Sequence, residues 1–368
     1  MDYFKNLLKN IDKILLLLPV FFAVISIIMI GSTSYEGEFI ITKDIKVQFA
    51  AYCLGTAALF IVLLFNYKNF ESMEKIIYVG SILFLLTVYI PGLGVEHFGA
   101  RAWIDLGPVD MQPSELVKIS FIIIFASYLA RNRDSLVHFK GVALSFLFAS
   151  PFILIILKED LGTAVVMIFI TIAMIFCAGI DYKLFAKLGG LFLISLPIIY
   201  RFMAPHQKDR IDAFLHPDNF SLSGIYQVWN SKVAIGSGGV FGKGLFQGTQ
   251  KELGFLPVQK SDFIFSVLVE ELGLIGGAFL ILLYTIFLYK ILKIADNAKD
   301  TFGSLIVIGI LAMFTFQIFE NIAMAMGIMP VTGITLPFIS YGGSSVVANM
   351  IALGIVLNVG IRSKTINF

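Results

Sequence analysis

Ten stretches of this chain are long and apolar enough to cross a bilayer, and few architectures can be built from so many of them. They cover approximately residues 14–33, 47–66, 76–91, 114–130, 142–157, 162–179, 184–203, 263–289, 302–326 and 343–361. Crossing the hydrocarbon core takes about 20 mostly apolar residues, with every backbone N–H and C=O partnered inside the protein. A helix meets that demand alone, so the expectation is an all-α, polytopic integral membrane protein of ten transmembrane helices, forming one membrane domain over residues 1–368. Composition agrees, since 58% of the residues are hydrophobic and 14% charged, where a soluble protein carries roughly a quarter charged. The fifth and sixth runs are parted only by Lys158-Glu159-Asp160, but one span of their joint length would overshoot the membrane. The first run follows Lys5, Lys9 and Lys13 and precedes no clear small-residue cleavage site; it reads as an uncleaved span.

Charge bias orients the bundle. With the N-terminus cytoplasmic, the inner segments hold 15 of the 27 Lys and Arg residues but 8 of the 25 Asp and Glu residues. Both termini are then cytoplasmic, and the polar residues gather outside. A net charge of +2 offers nothing to nucleic acid. Cys53 and Cys177 fall inside apolar runs and form neither a disulfide framework nor a metal pattern.

The outer face carries the unusual loops. The one between spans seven and eight, about 204–262, is the longest, and 92–113 and 327–342 are rich in Gly, Pro and Trp. Long loops in compact proteins tend to be functional. Pro330 and Pro337 point to a broken or re-entrant segment. Ionisable groups at membrane depth are costly and mark functional candidates: Glu115 and Lys118 at i, i+3, Asp160, Asp262, Glu270, Glu271 and Glu320. The competing reading is that these are ion pairs that orient helices. Gly236-Ser237-Gly238-Gly239 with Gly242 and Gly244 has the composition of a phosphate cradle but follows no strand. No nucleotide or metal-binding motif is present, and His97, His138, His206 and His216 are scattered singly. An outward-facing site has no ATP, so bond formation there must use a substrate that arrives activated, such as a lipid-linked one.

Four stretches together resemble the SEDS family (shape, elongation, division and sporulation) of bacterial cell-wall polymerases. They are Gly99-Ala-Arg-Ala-Trp-Ile-Asp-Leu-Gly-Pro108 with Gln112-Pro-Ser-Glu-Leu-Val-Lys118; Glu159-Asp-Leu-Gly-Thr163; Gly248-Thr-Gln250 through Phe255-Leu-Pro257 and Ser261-Asp-Phe-Ile-Phe265 to Glu270-Glu-Leu-Gly273; and Met329-Pro-Val-Thr-Gly333 through Leu336-Pro-Phe-Ile-Ser-Tyr-Gly-Gly-Ser-Ser345. Within the family, the Gly248-Thr249-Gln250 stretch is most like RodA, the elongation member.

The resemblance implies a peptidoglycan glycosyltransferase in the bacterial cytoplasmic membrane, extending glycan from lipid II at the outer leaflet with undecaprenyl pyrophosphate as leaving group. The acceptor hydroxyl needs a base, and Asp262 matches the family's essential aspartate. The departing diphosphate needs cations: Arg101, Lys118, Arg210 and Lys243 are the candidates, or a divalent ion, Mg or Mn. Glu115 and Asp160 complete the candidate substrate-binding set. Trp103 either anchors the interface or packs on lipid or sugar. No second carboxylate is placed as a covalent nucleophile, so transfer would invert the anomeric centre. A class B penicillin-binding protein and other elongation-complex membrane proteins are the implied partners. A lipid II flippase, a division paralogue like FtsW and an inert scaffold remain the alternatives. The chain departs from the family in two places: Lys158-Glu159 stands where Gln-Pro is usual, and Pro257-Val-Gln-Lys-Ser261 where Pro-Glu-x-His-Thr is usual. In the second, Lys260 would hold Asp262 ionised if the two approached closely.

Overall fold

The structure, a computed structural model, describes residues 11–363 apart from 36, 98–99, 108, 220–222, 253 and 257. Asp2, Lys5, Lys9 and Lys364 of the charge count, and Gly99, Pro108 and Pro257 of the motifs, lie outside the described residues. Three helices open the chain, α1 (Lys13–Ser32), α2 (Lys43–Leu64) and α3 (Glu74–Leu86). The loop after them folds into an antiparallel sheet ordered β1 (Gly94–His97), β2 (Ala100–Asp105), β3 (Asp110–Met111). Next come α4 (Pro113–Arg131), α5 (Phe139–Glu159), α6 (Leu161–Ala178) and α7 (Tyr182–Phe202). The long segment that follows contains α8 (Pro205–Leu215) and α9 (Ser223–Ser237), and the chain ends in α10 (Ile264–Asp296), α11 (Thr301–Ala325) and α12 (Gly343–Ser363).

A helix stands at each of the ten apolar runs. Among the described residues, eight are long and apolar enough to cross a membrane; α3, at 13 residues, and α7 fall outside that set. The protein is an all-α polytopic membrane protein, with the small sheet as an addition at one end of the bundle. Apolar side chains point outward along the spans, Leu54 and Leu147 each being 65% exposed, as a lipid solvent allows. Aspartates start several helices: Asp12, Asp181 and Asp300 each accept backbone N–H bonds from the first turn, satisfying donors that have no partner within the helix.

Two irregular segments shape the interior. At Gly273 (φ 68°, ψ −171°) the backbone of α10 leaves the helical region. The glycine-rich turn after α9 supplies the missing partners: Lys243 and Gly244 N–H donate to the carbonyls of Glu270 and Glu271 (both 3.0 Å), and Leu274 N–H donates to the Gly239 carbonyl (2.9 Å). A Cβ at Gly242 would lie 2.1 Å from the Glu271 carbonyl oxygen. Gly238 and Gly242 therefore serve close packing against a broken helix, and the amides of Lys243 and Gly244 are committed to that helix, not to a phosphate.

The second is the stretch between α11 and α12, where the expected break in helical structure is found. Leu336, Phe338, Ile339 and Ser340 are buried without regular structure. Their carbonyls are met by side chains from three helices: Tyr284 hydroxyl to Pro337 (2.6 Å), Tyr52 hydroxyl to Phe338, Ser26 hydroxyl to Ile339 (2.7 Å) and Gln48 amide to Ser340 (3.1 Å). Buried non-helical backbone is tolerated only with such internal partners. Phe338 also stacks on Phe22 and Phe314, fixing the path of the chain just beyond the site.

Candidate active site

Asp160 is the only residue between α5 and α6, and it caps α6. Its carboxylate accepts from Thr163 N–H (3.0 Å), Thr163 hydroxyl (2.6 Å) and the Gln112 amide (2.9 Å). The glycine of Asp-Leu-Gly-Thr has a steric reason, since a Cβ at Gly162 would lie 2.8 Å from the Thr332 carbonyl oxygen. The segment 332–334 thus lies across the N-terminus of α6, and it reaches Asp262 as well. A Cβ at Gly333 would stand 3.5 Å from Asp262 Oδ2.

Asp262 sits just before α10. Asn321 of α11 clamps the two segments together, its amide donating to the carbonyls of Asp262 (2.9 Å) and Ile334 (2.8 Å). Arg210 of α8 donates to the Thr332 carbonyl (3.0 Å), and Thr332 hydroxyl donates to the buried Glu320 carboxylate. Asp160, Asp262, Arg210 and Glu320 therefore converge on one short segment.

Asp262 keeps partial surface exposure but is hemmed in by protein. Desolvation pushes its carboxyl from an ordinary 3.8 up to about 6; the charge of Asp160 adds to the rise, while the Ser261 hydroxyl and Arg210 oppose it. Lys260 plays no part, contrary to the expectation from its neighbouring position. Its ammonium turns to Asp44 at the start of α2 (2.6 Å), the turn over 258–263 directing it away from the neighbouring carboxylate.

Arg101 and Asp160 line a cleft of about 300 Å³ whose other walls include Leu85, Val88 and Ile156. The Lys158-Glu159 departure finds its purpose there: Glu159 accepts from Arg101 N–H (2.9 Å) and the Tyr89 hydroxyl (3.0 Å), tying the sheet to α5. Trp103 stands on β2 opposite Val95, partly exposed. Glu115 and Lys118 are both buried and bond each other at 2.8 Å. Lys243 is bound to Glu270 (2.7 Å) and the Thr249 hydroxyl (2.6 Å) at the α10 break, so the structure does not bring it to Asp262 by any of these contacts. Among the described residues, no three His, Cys, Asp or Glu side chains gather to hold a metal ion. A Mg or Mn ion here would need oxygens from substrate as ligands. Glu320 is among the membrane-depth carboxylates that the sequence marks as functional candidates, whereas Asn321 carries no signal in the sequence.

A family model described as cell cycle protein, and named for FtsW, RodA and SpoVE, matches residues 9–365. The chain belongs to this family. Stage V sporulation protein E of Bacillus subtilis (strain 168) is 36% identical over 365 residues, covering 96% of this chain and 98% of its own. Peptidoglycan glycosyltransferase MrdB of Escherichia coli (strain K12) is 34% identical over 363 residues, covering 97% and 95%. A solved chain from a peptidoglycan synthase complex, described as coordinating polymerization and crosslinking, superposes with a TM-score of 0.80 at 28% identity, covering 96% of this chain and 99% of that one. The expected SEDS membership holds. A sporulation protein and a glycosyltransferase at nearly equal identity do not single out one branch of the FtsW/RodA/SpoVE family.

Proposed function

We propose that this chain is a peptidoglycan glycosyltransferase that polymerises lipid II at the outer face of the cytoplasmic membrane. The observation that carries the reading is Asp262, a partly exposed carboxylate with raised proton affinity, set beside Arg210 on one segment. In the reaction, the acceptor hydroxyl oxygen attacks the anomeric carbon of the lipid-linked donor. Asp262 takes the hydroxyl proton as the new C–O bond forms. The bond from the anomeric carbon to the diphosphate oxygen breaks, its electron pair leaves with undecaprenyl pyrophosphate, and attack from the opposite face inverts the centre. Asp160, held by three donors, is one of the groups that raise the Asp262 carboxyl.

The sign of the pH dependence follows. A base must be ionised, so polymerisation rises with pH through about 6 and falls about tenfold per unit below it. Asp160→Asn removes a like charge that lifts the Asp262 carboxyl, and moves this midpoint downward. Initial rates of lipid II polymerisation by the purified protein between pH 4.5 and pH 8 (approximately) check both; a flat profile in that range removes Asp262 as the base.

The Gly248-Thr249-Gln250 stretch supports a role in cell elongation. Depletion is then expected to round the cells, whereas filaments would assign the chain to division. The synthase complex among its structural relatives supports a class B penicillin-binding protein as partner.

A further inference from the structure

A second cleft, of about 360 Å³, opens on the far side of Arg210. It lies between α8, α9 and the segment 327–331, and its charged lining residues are Arg210 and Lys232. We propose that Arg210 and Lys232, which line this cleft together, seat the diphosphate of the lipid-linked donor. This rests on the glycosyltransferase reading and adds to it a residue and a location for the leaving group.

Three features support the site. First, Lys118, Lys243 and Lys260 are each committed to a carboxylate, while Lys232 forms no ion pair among the described residues. Second, its ammonium lies against the backbone of Gly327 at the cleft. A Cβ at Gly327 (φ +70°) would fall 2.2 Å from Lys232 Cε and 2.6 Å from Nζ. Third, Arg210 bridges the cleft to the reaction centre. One of its nitrogens bonds the Thr332 carbonyl, next to the glycine that faces Asp262, and a guanidinium has further donors to offer. The apolar walls, Phe214, Val228, Met329 and Val331, lower the local dielectric and strengthen the attraction for an anion.

The chemistry needs such a seat. When the bond to the anomeric carbon breaks, its electron pair remains on the diphosphate oxygen, and no proton is required if fixed cations meet the added charge. Arg210 and Lys232 do so from one side while Asp262 takes the acceptor's proton from the other.

The test measures polymerisation and, separately, inhibition by added undecaprenyl diphosphate against undecaprenyl monophosphate, using the full-length protein in detergent. Lys232→Met is expected to lower kcat by about 10²-fold, the cost of one lost transition-state donor, and to weaken diphosphate inhibition by roughly tenfold or more. Lys232→Arg is expected to retain most of both. Wild-type polymerisation with a Lys232→Met variant that turns over and is inhibited normally overturns the seat. A wild-type protein that binds the diphosphate without polymerising overturns the glycosyltransferase reading and leaves the seat standing. If Lys232→Met melts early, the Lys232→Arg variant decides: normal folding with lost diphosphate selectivity also counts against the proposal.

Discussion

Asp262→Asn is expected to reduce lipid II polymerisation by about 10²- to 10⁴-fold, the range a positioned general base contributes, with the melting temperature in detergent unchanged. The asparagine is isosteric, so what holds this position remains. The Asn321 amide still meets the backbone carbonyl of residue 262, and the Ser261 hydroxyl still finds an acceptor. Only the capacity to accept a proton is lost. Burial of an ionised carboxylate is costly, so the neutral side chain loses nothing in stability. Polymer length and yield from purified lipid II give the readout. A variant within tenfold of wild type would show that another group, or water, takes the proton.

The same residue illustrates how far the sequence reached. Asp262, Asp160 and the Glu115–Lys118 pair were legible because spacing and motif speak directly about near neighbours on a helix or at its start. The helices themselves were legible because a bilayer restricts backbone so severely. What escaped depended on the third dimension. The glycines 238–244 carry the same pattern whether backbone approaches a phosphate or a broken helix, and only the placement of Gly273 of α10 decides between them. Lys260 was set beside Asp262 by sequence yet faces Asp44, since chain adjacency is not contact. Lys232 drew no attention in a segment of mixed charge, because what distinguishes it is the cleft it shares with Arg210 of another helix. The sheet β1–β3 was hidden by short strands in a stretch rich in turn residues.

Lys118→Met has the second large expected effect, and it falls on stability before activity. Lys118 is 1% exposed, and its ammonium bonds Glu115, whose other oxygen, Oε2, has no hydrogen-bond partner among the described residues. Taking away the ammonium leaves a buried carboxylate uncompensated, a loss of about 3–5 kcal/mol. The double variant Glu115→Gln with Lys118→Met removes both charges and is expected to recover most of that stability, because neutral groups of similar size tolerate the same site. Activity then separates the two roles open to the pair. An ammonium this enclosed reaches a diphosphate only by leaving Glu115, so a structural pair predicts that the double variant polymerises lipid II at close to the wild-type rate. A double variant that melts normally yet stays inactive would instead return Lys118 to the substrate-binding set. Thermal unfolding in detergent, read beside polymerisation of the single and double variants, distinguishes these outcomes. A single Lys118→Met variant as stable as wild type would refute the buried ion pair itself.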